Sequence, residues 1–424
     1  MGKKKKVKLR KGRAVAAVTA FALIIGVSVY SCGRVVEKKS KPVSTDGNAI
    51  VDTTTPVVTE PPTEPPKLDK TLHFIAAGDN LVQTGVYRNA QELAGAGVEY
   101  DFKPMYENVR DIIESADVSI INQETLICNG EYEISGANFN FNSPVELGQD
   151  MIDLGFDVFT IANNHVLDKG TGGLSATLDY WDKKTAENDI VVCGAYRDEA
   201  DSNNIRTMEV DGVTIAFLAY TEHLNGYKIP SDSDLRVILT DEEDVMEAQI
   251  RQASEIADIV ITSVHWGVED VHTVAQERRE LAQKMVEWGS DVIIGTHPHT
   301  AETMEYITRT DGTRGFVYYS LGNFISAQTD NFNVVGEIAD FSITVDGEIG
   351  QATLENVQAI PVINHYDDGT FSNMRLYPYN MYTSALADSH GLPYAPAGTA
   401  KSFNMDVIDS IVEENIPAEF RKLD

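Results

Sequence analysis

Two imidazoles stand two residues apart, His297 and His299, in the stretch Gly295-Thr-His-Pro-His-Thr300, directly after the apolar run 291–295. At the end of a strand such a pair can converge on a metal ion, because neutral imidazole is a common nitrogen ligand and leaves room for carboxylates from elsewhere. The same pattern recurs along the chain. The apolar run 72–78 ends at Asp79, run 117–121 at Asn122-Gln-Glu124, run 157–162 at Asn163-Asn164-His165, and run 258–264 at His265-Trp266-Gly267. Runs of this length, bounded by polar residues, read as strands buried on both faces, and ligands sit beyond the carboxyl ends of such strands. Residues far apart in sequence are therefore expected to meet around one site.

The chemistry such a set supports is that of a divalent cation, which lowers the pKa of a bound water and polarises the oxygen it faces. Glu124 has two oxygens with which to bridge, and His165 is the candidate to protonate a leaving group. Asn163, Trp266, Glu269 and Asn323 are the expected substrate contacts. Plainer roles stay open for several of these. Asp79 and Glu124 can cap the segments that follow them, and Asn163 and Asn164 can form an Asx turn. Trp266 can pack as a wall rather than serve as a substrate shelf. Glu269 can pair with a cation, and Asn323 can orient a ligand. His73, His223, His272, His365 and His390 lack matching partners and read as ordinary core or surface histidines.

Positioning these residues requires alternating strands and helices. Residues 104–114 begin with Pro at a first-turn position and repeat apolar residues at helical spacing, as do 172–188 and 273–288, the last stopped by Gly289. Strand and helix alternate from Leu72 to about Gly322, which predicts a layered α/β domain. Beyond Asn323 the pattern turns to strands, with 335–345 and 351–359 reading as a hairpin that closes one sheet. Cys128 and Cys193 read as two buried thiols, and no Cys-x-x-Cys occurs.

The ends differ from the body. The chain has 424 residues, 42% hydrophobic content and a formal net charge of −31, while residues 1–13 carry only basic charges. So acidic a body lacks the basic footprint that nucleic acid demands, so no nucleic-acid partner is expected. The basic cluster followed at once by the apolar stretch 14–31 predicts a single membrane anchor at the cell membrane, with the lysines inside and the main domain outside. Val29-Tyr-Ser-Cys32 offers the alternative of a cleaved lipoprotein signal with Cys32 lipidated. Residues 32–70, rich in Pro, Thr, Ser and Glu, form the expected semi-extended linker. The domain is expected to span 71–365, followed by a loosely packed extension, 366–424.

Six motifs in order carry a resemblance: Gly78-Asp79, Asn122-x-Glu124-Thr125, Asn163-Asn164-His165-x-x-Asp168, His265-Trp-Gly267-x-Glu269, Gly295-x-His297-Pro-His299 and Tyr319-Ser-Leu-Gly-Asn-Phe324. Together they resemble the CapA family of bacterial capsule (poly-γ-glutamate) synthesis proteins, of the calcineurin-like metallophosphatase superfamily, over about residues 72–362. The resemblance implies a four-layer α/β/β/α sandwich with one or two divalent ions, Mn, Fe or Zn, at the strand ends. Carried over, Asp79 and His299 would serve a first metal, Asn164, His265 and His297 a second, and Glu124 would bridge them. His165 would stand beside the metals as proton donor. In one place this sequence departs from the pattern: Asn80 and Leu81 follow Asp79 where the superfamily usually has a histidine two residues on, which makes a mononuclear or weakly dinuclear site the expectation.

Function then divides into a metal-dependent hydrolase or transferase acting on an envelope polymer or its linkage, such as a phosphodiester or γ-glutamyl amide, and a non-catalytic accessory subunit of a capsule-polymer synthesis and export complex. Binding of carbohydrate or nucleotide without turnover is a third class. The partners implied are an anionic envelope polymer or its precursor, other membrane subunits of a capsule synthase, and the membrane itself. An acidic body repels such a polymer over about 8 Å at physiological salt unless a local patch, from Lys103, Arg88 or Arg314, offsets it.

Overall fold

The computed structural model describes residues 68–395 and 398–424. The basic segment 1–13, the apolar stretch 14–31, Cys32 and nearly all of the 32–70 linker lie outside the described residues. Among the described residues no helix is long and apolar enough to cross a membrane.

Two sheets carry the domain. The first runs, edge to edge, through strands Arg375–Pro378, Ala352–His365, Val335–Val345, Lys70–Asn80, Val118–Asn122, Val158–Thr160 and Val191–Cys193, with the short strand Asn323–Ile325 paired alongside the end of Lys70–Asn80. The second runs through Met304–Thr308, Arg314–Tyr318, Val292–Thr296, Ile259–His265, Val213–Thr221 and Arg206–Val210. Lys70–Asn80, Val118–Asn122, Val158–Thr160 and Val191–Cys193 run parallel to one another, as do Val213–Thr221, Ile259–His265, Val292–Thr296 and Arg314–Tyr318, as continuous apolar runs predict, while Val335–Val345 is antiparallel to Lys70–Asn80.

The period of two along a strand decides which layer each side chain joins. In the second sheet Ile215, Phe217, Ile261, Val292, Phe316 and Tyr318 face the first sheet and share its core. Their neighbours Ala216, Leu218, Val260, Ile293 and Val317 face the other way, onto helices Glu243–Ile256 and Gln276–Trp288. Tyr318 meets Phe341 across the two sheets, ring centroids 6.2 Å apart. On the far face of the first sheet, helix Gly170–Glu187 lays Trp181 against Phe159, centroids 4.6 Å apart. Helix, sheet, sheet and helix make the four-layer α/β/β/α sandwich that the resemblance implied.

The expected helix over 104–114 is wound in two pieces, a 3₁₀ segment Lys103–Val109 and one α-helical turn Arg110–Ile113. Met105, Tyr106, Val109 and Ile113 are still buried along it, so the apolar spacing found its face while the winding tightened after Pro104. The other two expected helices form as Gly170–Glu187 and Gln276–Trp288, the latter closed by Gly289, whose N–H reaches Met285 O and Val286 O. Cys128 and Cys193 are both buried and free.

The extension 366–424 is not loosely packed. Tyr366, Met374, Leu376, Leu392, Phe403, Ile408, Val412 and Ile416 belong to the main core, and the described residues make one compact unit. Spacing explains the difference: Ile408, Val412 and Ile416 repeat every four residues on and just beyond helix Met405–Asn415, which buries one stripe. The last residues also return to the sheets, with Lys422 N–H on Ala359 O and Lys422 Nζ 2.7 Å from Asp340 Oδ2.

Candidate metal centre

Parallel register brings the strand ends level. Asp79 stands opposite Asn122 on one side and Asn323 on the other, and His265 opposite Thr296 and Thr221. Two glycines allow the backbones to close in around these ends. A Cβ on Gly78 would lie 2.0 Å from Gly322 O, and one on Gly295 would lie 1.9 Å from Tyr319 O. Gly295 O accepts the Leu321 N–H at 3.1 Å, and Gly322 O accepts the Asp79 N–H at 2.9 Å. The turn after Gly295 then holds both histidines at positive φ, 102° for His297 and 57° for His299, a strained backbone sustained only where its surroundings fix it.

Those surroundings are specific. Asp79 Oδ2 accepts the His297 N–H at 3.2 Å and lies 3.1 Å from His299 Nδ1; Asp79 Oδ1 accepts from Asn122 Nδ2 at 2.7 Å. His299 Nδ1 is also 3.1 Å from Asn323 Oδ1, and the His299 carbonyl accepts from Asn333 Nδ2 at 3.1 Å. His265 Nε2 lies 3.1 Å from both Asn164 Oδ1 and His297 Nδ1, with Thr296 Oγ1 3.0 Å from its other nitrogen. Asp168 Oδ2 holds His165 Nδ1 at 2.9 Å, which leaves Nε2 facing Glu124 Oε1 at 3.8 Å.

Glu124 is the centre of the group. It is 1% exposed, and neither of its carboxylate oxygens has a hydrogen-bond partner among the described residues. Nε2 of His265 and of His299 each stand 3.7 Å from its Oε1. An unpaired carboxylate buried this deeply costs several kcal/mol, and a cation is the group that would complete it. The ligand atoms of Glu124, His265 and His297 lie within 4.8 Å of one another, as do those of Asp79, Glu124 and His299, with Glu124 common to both sets. The donor types, carboxylate, amide and imidazole, fit a divalent metal.

Electrostatics agree with that fit. Burial, reinforced by Asp79, pushes the Glu124 carboxyl well above the usual range. Burial, reinforced by the surrounding imidazoles, holds His265 and His297 well below theirs, so both are neutral, the form that binds metal. For His299 burial works the same way but is outweighed by Glu124 and Asp79, which raise it to about 10. A bound dication would reverse this balance, favouring ionised Glu124 and unprotonated His299.

Not every expected residue reaches the centre. Trp266 is buried in the helix-facing core, its indole N–H on Tyr319 O at 2.9 Å, so it offers no shelf to a substrate. Adjacent residues of a strand point to opposite faces, and His265 already takes the face toward the site. Asn163 is spent on the backbone, donating to Gln123 O and accepting from His165 N–H, and Asn323 on His299, Gln328 and Asn333. Both hold the site rather than present a free amide. Glu269 is the least buried of the acids here, and its carboxylate lies within 4.8 Å of ligand nitrogens of His297 and His299. Of the basic residues expected as an offsetting patch, Lys103 pairs with Asp150, Arg314 stacks on Tyr306 at 4.2 Å, and Arg88 is exposed.

His223, set aside from sequence, is brought in: its Nε2 lies 3.3 Å from His297 Nε2. The signal was present, since strand Val213–Thr221 is a further apolar run and ends in Glu222-His223. Asn122 and Asp168, which orient Asp79 and His165, lie inside the quoted motifs.

The family described as "Bacterial capsule synthesis protein PGA_cap" matches residues 73–328. The chain belongs to that family. It is 30% identical over 225 residues to the PGA biosynthesis protein CapA of Bacillus subtilis (strain 168), covering 53% of this chain and 57% of that one. It is also 30% identical over 201 residues to the capsule biosynthesis protein CapA of Bacillus anthracis, covering 46% of each. The matched part is thus about half the length of these curated relatives. Among solved structures, the NAD nucleotidase (NadN) of Haemophilus influenzae aligns with 82% of this chain and 60% of its own at 12% identity and a TM-score of 0.41. The PGA_cap match contains every expected metal-site residue, from Asp79 to His299.

Proposed function

We propose that this PGA_cap protein is a metal-dependent hydrolase or transferase of the cell envelope, acting on an anionic capsule polymer such as poly-γ-glutamate, or on its linkage or precursor. The observation that carries the reading is Glu124: a buried carboxylate without a hydrogen bond, ringed by His165, His265 and His299 at 3.7–3.8 Å. Asp79, Glu124, Asn164, His265, His297 and His299 would hold one or two ions of Mn, Fe or Zn. A bound ion would supply Lewis acidity toward a phosphoryl or carbonyl oxygen and toward water.

The protein's own contribution is orientation and proton transfer. The Asp168 carboxylate accepts a hydrogen bond from His165 Nδ1–H, fixing the ring so that Nε2 points into the centre, and it would stabilise the imidazolium. Phe141 lies edge-on to that ring, centroids 4.5 Å apart, and closes its outer side. His165 is then the donor to a leaving group, while Asn122, Asn323 and Thr296 keep Asp79, His299 and His265 in place.

The apolar stretch 14–31, or a lipid on Cys32, would tether the domain outside the membrane beside other subunits of a capsule synthase. Family membership also supports a second reading, an accessory subunit without turnover, in which the metal only stabilises the fold. Metal-loaded protein assayed on a generic phosphodiester, and on poly-γ-glutamate for released glutamate, separates the two. Turnover that disappears in His165→Ala while the metal stays bound supports the enzyme; no turnover on either substrate class, with metal bound, favours the accessory subunit.

A further inference from the structure

The first motif supplies fewer ligands than its position promises. Asn80 is fully buried and faces away from the metal ligands, its Nδ2 donating to Gln123 Oε1 at 2.8 Å and its Oδ1 accepting from the Tyr106 hydroxyl at 2.9 Å. Leu81 is buried apolar packing. From Asp79-Asn80-Leu81, Asp79 alone therefore offers a donor, and the Asp79, Glu124, His299 set is one ligand short of the pattern that the resemblance implies.

Glu269 stands on the loop after His265 with an unused carboxylate. It makes no hydrogen bond and no ion pair with any described residue, yet one of its oxygens lies within 4.8 Å of ligand nitrogens of both His297 and His299. Its loop is fastened to the histidine turn at several points. Trp266 N–H donates to Thr296 O at 3.0 Å and Asp270 N–H to Pro298 O at 2.9 Å, on the residue between the two histidines. Asn333 Nδ2 bridges Asp270 Oδ1 at 3.0 Å and His299 O at 3.1 Å. Gly267 N–H donates to Glu222 Oε2 at 2.8 Å, and Arg278 holds that same carboxylate at 3.1 Å. A partly exposed acid is thus kept by its neighbours within 4.8 Å of two buried imidazoles.

We infer that Glu269 is a metal ligand, supplying from the His265-Trp-Gly-x-Glu loop the donor that Asp79-Asn80-Leu81 lacks. The inference rests on the metal-centre reading above and deepens it. With Asp79 and Glu124 it gives the centre three carboxylates beside its imidazoles, a set that suits an oxygen-preferring ion such as Mn²⁺. Two dications against three carboxylates leave one net positive charge, enough to receive a single anionic group of a substrate such as one phosphodiester or one carboxylate.

The test is titration of chelator-stripped full chain with Mn²⁺, followed by calorimetry and by electron paramagnetic resonance, for wild type, Glu269→Gln and Glu269→Asp. The expected result is that Glu269→Gln loses one bound Mn²⁺ or weakens it at least about tenfold, and that Glu269→Asp restores part of the loss. Glu269→Gln binding every ion with wild-type stoichiometry and affinity overturns the inference and leaves the centre standing. Wild type that binds no Mn²⁺, Fe²⁺ or Zn²⁺ overturns the centre itself.

Discussion

Glu124 and His165 hold opposite ends of one arrangement, an acid with no hydrogen bond and an imidazole aimed at it by Asp168. If His165 transfers protons and does not bind metal, His165→Gln leaves metal content at the wild-type level and lowers kcat by about 10²–10⁴-fold, the usual range for a general acid. Equal kcat in the variant, or loss of metal with it, would remove the role. At this scale much was legible in sequence. Asp79, Glu124, Asn164, His165, His265, His297 and His299 each close an apolar run, and parallel register brings such ends level. Trp266, open in sequence between packing wall and substrate shelf, packs: a residue type says nothing about the phase of the pleat, and with His265 toward the centre its neighbour must face the helices. His223 was set aside for want of a matching partner, although it follows a further apolar run, Val213–Thr221, that belongs with the other strand ends.

Elements place these residues, and two of their joints are open to measurement. A Cβ at Gly295 would collide with the Tyr319 carbonyl, so Gly295→Ala forces apart the strand end and the segment that follows Arg314–Tyr318. It should abolish metal retention even where the protein remains soluble; wild-type metal content in that variant would show the close approach to be unneeded. Ile408, fully buried on helix Met405–Asn415, tests the C-terminal segment. Ile408→Ala should destabilise the domain by about 2–5 kcal/mol in urea unfolding, where a loosely attached tail would give almost nothing. That segment was opaque in sequence because one four-residue stripe shows that a helix is amphipathic but not which surface receives it.

A third joint depends on pH. His73 Nε2 lies 2.7 Å from Asp340 Oδ1, and this bond, helped by Ser115 O, raises the histidine above its usual value despite partial burial. A raised folded pKa contributes stability that is complete below the unfolded value near 6.5 and is lost as pH climbs through the folded one. His73→Gln should therefore lower the unfolding free energy from urea titration at pH 5.5 by about 0.5 kcal/mol after solvent screening, and leave it unchanged at pH 9. A deficit equal at both pH values would rule out the ion pair as its source.

For the whole molecule charge is the governing quantity. A chain at −31 and a polyanionic capsule polymer repel one another, and only screening or the metal can bring them together. Association with poly-γ-glutamate should thus strengthen between about 20 and 200 mM salt, the reverse of the trend for a basic protein on a polyanion. Weakening with salt would reveal a local basic surface, for which exposed Arg88 is available while Lys103 pairs with Asp150 and Arg314 stacks on Tyr306.

All of this rests on acids, amides and imidazoles gathered from separate strand ends binding a cation. Elemental analysis of purified full-length protein, beside Glu124→Gln and His297→Ala, tests that most directly. The account predicts at least one equivalent of Mn, Fe or Zn per wild-type chain, removed by chelator and lost in both variants. Wild-type protein free of these metals even after their addition, or variants that keep the wild-type content, would contradict it.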